Sequence, residues 1–80
     1  MIHILVVDDD KKLTQSVCSY LNNSGYEAKG VFSAEKAYDE MYNNLYDLII
    51  SDIMMPGTDG FSFAKTVREL NKTIPILFVS

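Results

Sequence analysis

Four aspartates stand at the places in this chain where chemistry is easiest to do. Asp8, Asp9 and Asp10 follow the apolar run Ile2-His3-Ile4-Leu5-Val6-Val7, and Asp52 closes a second run, Asp47-Leu48-Ile49-Ile50-Ser51. Short apolar runs of this kind read as strands buried on both faces. Behind Asp52, the residues Pro56, Gly57 and Gly60 punctuate a loop. An aspartate at a strand end can simply solvate it. Two acidic strand ends in one parallel sheet do more, because both arrive at the carboxyl edge, where open α/β folds place their ligands. At an effective dielectric of about 20, two like charges about 4 Å apart repel by roughly 4 kcal/mol. A cation or a shifted proton must relieve such crowding. Oxygen-only ligands at a strand edge suit Mg²⁺, which accepts one or two carboxylates, keeps waters and bridges phosphate. The cluster reads as a metal and phosphoryl site.

The elements that would carry these residues alternate along the chain. Residues 2–7 form the first strand, with a helix after it marked by Leu13, Val17, Tyr20, Leu21 and Ser24 at helical spacing. The aspartates supply its N-cap, Asp10 above all, and Gly25 its stop. Residues 26–31 alternate charged and apolar, which suits a half-exposed edge strand. Ser33 caps a second helix with Ala34, Ala37, Tyr38, Met41, Tyr42 and Leu45 on its inner face. This stripe is packing, and Tyr38, Tyr42 and Tyr46 taken together belong to packing and surface, with no catalytic role. The third strand covers residues 47–52. Asp59 caps a third helix bearing Phe61, Ala64, Val67 and Leu70, with Phe63 at its flank. Asn71-Lys72-Thr73 ends that helix, and Pro75 opens a last strand over residues 76–80. His3, early in a buried strand, reads as a packed histidine and not as a phosphoryl donor.

Strand–helix–strand repeated in this way implies right-handed crossovers and a parallel sheet with helices on both faces. The predicted fold is α/β, a flavodoxin-like doubly wound sheet of strand order 2-1-3-4. Its first and third strands flank the switch point where Asp8, Asp9 and Asp52 would meet.

At 80 residues the chain makes one small domain (residues 1–80), and its 48% apolar content is too high for disorder. A net charge of −4, with no basic run beyond Lys11-Lys12, makes it a poor binder of nucleic acid or acidic membrane. Its lone cysteine, Cys18, fits a reducing cytosol. The first strand runs into aspartates and is no signal peptide, and nothing reaches transmembrane length. A soluble, cytoplasmic protein is expected.

Val6-Val7-Asp8-Asp9, the loop Asp52-Ile53-Met54-Met55-Pro56-Gly57-Thr58-Asp59-Gly60 and Ser80 resemble, over residues 1–80 and in order, the receiver domain of bacterial response regulators. The resemblance implies that Asp52 accepts a phosphoryl group from a sensor histidine kinase. It implies that Asp8, Asp9, Asp52 and the backbone carbonyl of Met54 hold Mg²⁺, and that Ser80 is the hydroxyl contacting the phosphoryl group in the active state. It implies a two-component switch and not an enzyme. The output is an attached effector, of the winged-helix transcription regulators by this likeness, which would bind DNA through a domain absent here. In the family another helix, a fifth strand carrying a lysine and a final helix follow. The likeness therefore implies a receiver cut before its fifth strand.

Two other readings stay open. Asp8-x-Asp10 resembles the opening motif of haloacid-dehalogenase-like phosphatases, with Asp8 as nucleophile. Position 12 is Lys where that family wants threonine or similar, the cap domain is missing, and Asp52 has no nucleophilic role there. A phosphorylation-independent interaction module on the same fold is the other. Finally, the uncharged run at residues 75–79 has the profile of a strand-addition site, so self-association through that edge is expected.

Overall fold

Apolar runs of four or five residues, separated by amphipathic helical stretches, leave the chain little choice but to stack parallel strands between helices. The computed structural model of the protein describes residues 1–52 and 59–79. Its elements are β1 (His3–Val7), α1 (Lys11–Asn23), β2 (Glu27–Val31), α2 (Ala34–Asn43), β3 (Leu48–Asp52), α3 (Gly60–Leu70) and β4 (Ile76–Val79). The strands form one parallel sheet in the order β2-β1-β3-β4, as the alternation predicted. Leu5 lies beside Lys29 on one flank and Ile49 on the other, and Ile49 beside Ile76.

Strand parity divides the core. Leu5, Val7, Val31 and Ile49 face α2 and α3, where they bury Ala34, Ala37, Phe63 and Val67. Phe63 stacks on Tyr38 with ring centroids 5.8 Å apart and meets Phe78 edge-on at 6.5 Å. Ile4 and Val6 face the other way, toward α1.

Each helix starts on the expected cap. Asp10 accepts from the Leu13 amide (3.1 Å), Ser33 from Lys36 (3.2 Å) and Asp59 from Ser62 (2.7 Å). Each bond serves one of the donors that a first helical turn cannot satisfy itself. At the end of α1, Gly25 adopts φ 95°, the Gly25 amide bonds to Asn22 and the Tyr26 amide to Leu21. This Schellman closure needs a residue free of a Cβ penalty at positive φ. The Asn22 side chain then pairs with both the amide (2.8 Å) and the carbonyl (3.4 Å) of Ala28, covering part of the exposed edge of β2.

Several faces differ from those predicted. On α1 the buried residue is Thr14, whereas Leu13 and Tyr20 are exposed. On α2 the inner face stops at Met41, and Tyr42 and Leu45 stand in solvent. On α3 the predicted stripe is turned: Phe63 is 1% exposed and Phe61 91%. In each case apolar residues occur on more than one side of the helix, and the sheet selects which side is covered. His3 is half-exposed and its Nε2 lies 3.4 Å from Glu27, so it is an edge residue and not a packed one.

Gly30 faces Thr14 and Cys18 of α1. A Cβ at this position would run into Thr14 Cγ2 and lie 3.2 Å from Cys18 Sγ. Gly30→Ala is therefore expected to destabilise the chain by about 1–3 kcal/mol through overpacking, despite the gain of about 0.5–1 kcal/mol from losing a strand glycine. A urea unfolding midpoint at or above wild type would contradict this close contact.

Candidate functional site

β1 and β3 lie side by side and end at the same edge, so the acids they carry converge. One carboxylate oxygen from each of Asp8, Asp9 and Asp52 lies within 4.8 Å of the others. Asp8 is buried, Asp9 exposed and Asp52 half-buried. The group thus reaches from the sheet interior to solvent.

The backbone holds this edge in place. The Asp8 amide donates to the Val31 carbonyl at 3.1 Å, which ties the start of the turn to the end of β2. The Asp10 amide donates to Asp8 Oδ1 at 2.9 Å. Thr14 Oγ1 donates toward the carbonyls of Asp8 (3.1 Å) and Asp10 (2.8 Å). Burial pushes the Asp8 carboxyl above the ordinary carboxylate range, and the charges of Asp52 and Asp9 add to that effect. The Asp10 amide opposes it without cancelling it. A buried carboxylate beside two more is the situation that a bound cation relieves. The donor set consists of hard oxygens only, which fits Mg²⁺ or a similar ion and not a soft metal.

Asp10 and Asp59 stand apart from this cluster, because each is engaged as an N-cap. The capping of α1 by Asp10 also weakens the Asp8-x-Asp10 phosphatase reading, which needs that second carboxylate for chemistry. Met54 and Ser80 lie outside the described residues. Thr14 was missed in the sequence. Its signal there is the spacing of Thr14 with Val17, Cys18 and Leu21, which places its β-branched side chain on one helical face with apolar residues.

A cleft of about 900 Å³ opens elsewhere, at the amino edge of the sheet, between His3, Glu27, Lys29, Glu40, Tyr46 and Asp47. Glu40 accepts there from Lys29 (2.9 Å), Tyr46 (2.7 Å) and Asn44 (3.2 Å). Lys29, followed by the Tyr46 bond, holds the Glu40 carboxyl below its usual range, and burial followed by Glu40 pushes the Tyr46 hydroxyl well above its own. This knot fastens α2 to β2 and is internally satisfied. The acidic edge is where chemistry can occur.

A family profile described as the response regulator receiver domain matches residues 4–80. The transcriptional regulatory protein RprY of Bacteroides fragilis is 38% identical over 79 residues, which are 99% of this chain and 34% of RprY. The chain spans about a third of the length of the curated relatives it matches. A response regulator receiver protein from Pseudomonas putida superposes with a TM-score of 0.92 at 28% identity, over 99% of this chain and 67% of that one. A chain in the crystal structure of histidine kinase ThkA in complex with response regulator TrrA does so at 0.88 and 35%, over 98% and 67%. Among the described residues no helix is long and apolar enough to cross a membrane.

Proposed function

Because the chain belongs to the response regulator receiver domain family, we propose that it is the phosphoacceptor of a two-component system, with Asp52 as the residue modified. The convergence of Asp8, Asp9 and Asp52 within 4.8 Å carries this reading. A carboxylate oxygen of Asp52 attacks phosphorus in the phosphohistidine of a sensor kinase. The new O–P bond forms as the P–N bond breaks, and the imidazole leaves with the electron pair. Phosphoryl transfer asks mainly for position and charge neutralisation, and little else of the protein. Asp8, Asp9 and Asp52, with the carbonyl of Met54, would hold Mg²⁺, which supplies that neutralisation. Asp8, fixed by the amide of Asp10, would present one rigid ligand, and the exposed Asp9 a mobile one.

The phosphoryl group adds about −1.5 to −2 charge and three acceptor oxygens. Ser80, the next residue in the sequence after β4, is the hydroxyl proposed to follow it inward. A kinase partner is consistent with the ThkA–TrrA pair, and a transcriptional output with the name of RprY. An attached domain would supply the DNA contacts, since this chain carries a net charge of −4. The cytoplasm is its proposed location. The reading is tested by incubation with acetyl phosphate and Mg²⁺ followed by mapping of the modified residue, which should be Asp52.

Asp9→Ala is expected to weaken Mg²⁺ binding by more than the roughly tenfold that losing an outer-shell partner costs. Affinity should also fall on acidification, beginning with Asp8, because its raised pKa makes it take a proton before an ordinary aspartate would. Equal affinity for variant and wild type would remove Asp9 from the ligand set.

Self-association of the 80-residue chain through Pro75–Val79 belongs to the same proposal. β4 is a sheet edge without charge, and Leu77, Phe78 and Val79 are exposed along it. Sedimentation over a concentration series should show mass increasing with concentration. A monomer throughout would count against the edge.

A further inference from the structure

Resting on that Mg²⁺-dependent reading, we propose that Thr14 is a positioning residue for the acidic site, holding the turn between β1 and α1 in the bend that brings Asp8 and Asp9 to Asp52. Thr14 is buried to 1% exposure directly beneath the turn. Its hydroxyl donates to the Asp10 carbonyl four residues back, an ordinary bond for a helical threonine. The same hydrogen is shared with a second acceptor, the Asp8 carbonyl, which lies 3.1 Å away, six residues back and outside the helix. Helix geometry does not account for that buried bond. It connects α1 to the backbone of the site's most buried carboxylate.

The other branch of Thr14 is fixed as well. Its Cγ2 methyl occupies the notch that Gly30 leaves by having no Cβ, with Cys18 Sγ alongside. The methyl keys α1 to β2, and the hydroxyl keys the acidic turn to α1. β2 is already bonded to that turn through the Asp8 amide and the Val31 carbonyl. The turn, the helix and the edge strand thus form one closed unit around Thr14. The position of Asp8 and Asp9 relative to β3 depends on it.

Two substitutions separate the branches. Thr14→Val keeps the shape and removes the hydroxyl, and Thr14→Ser keeps the hydroxyl and removes the methyl. Both should lower the unfolding midpoint, the first by stranding a buried carbonyl and the second by leaving space over Gly30. Only Thr14→Val should weaken Mg²⁺ binding, by roughly tenfold, the low end for loss of an outer-shell partner. In the metal-free chain it alone should also speed hydrogen exchange at the amides of Asp8 and Asp10. Wild-type affinity and exchange in Thr14→Val would overturn the proposal, as would equal losses of affinity in both variants. A Thr14→Val chain that does not fold would overturn it too, by making the hydroxyl a requirement of the whole fold. A wild-type chain that takes up no Mg²⁺ would defeat the Mg²⁺ reading instead, and the exchange comparison would still judge the hold of Thr14 on the turn.

Discussion

Asp52→Asn is expected to take up no phosphoryl group from acetyl phosphate and Mg²⁺, whereas the wild-type chain is expected to gain one. The substitution is nearly isosteric, so β3 and its pairing with β1 and β4 should survive. What disappears is the oxygen proposed as nucleophile and one negative charge. An amide does not attack phosphorus as a carboxylate does, so the loss is of the whole reaction. Intact-mass spectrometry reads the outcome directly. Adduct retained in the variant, with the phosphoryl group on Asp8, would transfer the nucleophile to the first strand and favour the phosphatase reading. Absence of any adduct on the wild-type chain, with Mg²⁺ bound, would favour an interaction module that does not use phosphorylation.

The second large effect is on stability. Phe63→Ala should cost about 3–5 kcal/mol, as removal of a buried aromatic ring generally does. For a chain of 80 residues, total stability at 0.05–0.15 kcal/mol per residue is roughly 4–12 kcal/mol. This single change is therefore expected to remove between about a quarter and all of that stability. The loss has identifiable sources: the ring stacks on Tyr38, meets the edge of Phe78 and closes the core over Ile49. Phe61→Ala, two residues earlier, should change stability by less than about 0.5 kcal/mol, because Phe61 is almost fully exposed. Denaturant midpoints for the two variants measured side by side make the test. Similar losses in both would mean that α3 presents a different face to the sheet.

The contrast between Phe61 and Phe63 shows where local information ends. Phe61, Ala64 and Val67 recur at helical spacing, and so do Phe63 and Val67 with Leu70. Both stripes contain Val67, and periodicity cannot choose between them. The rotation of α3 is decided by Tyr38 on α2 and Phe78 on β4, which are distant in the chain. The same holds for α1, where the more conspicuous Leu13 and Tyr20 are exposed and Thr14 is covered. It holds for His3 too, whose ring is drawn toward Glu27 on the neighbouring edge strand.

By itself the sequence determined whatever depends on neighbours in the chain. Asp10, Ser33 and Asp59 cap their helices because a short polar side chain reaches amides only two or three residues ahead. Gly25 closes α1 because its own backbone must take positive φ. Alternation of strand and helix, together with the handedness of crossovers, implied a parallel sheet with helices on both faces, and the likeness to receiver domains agreed with the order 2-1-3-4 that the structure has. That order alone brings Asp8, Asp9 and Asp52 to one edge. Only the tertiary structure decided how the edge is held: that Asp8 is desolvated, that Thr14 bonds its carbonyl, and that Gly30 is bare so that Thr14 can approach. Each of these facts joins residues on different elements. The rotation of each helix about its own axis, which sets such meetings, is chosen by packing against the sheet and not by any pattern within the helix.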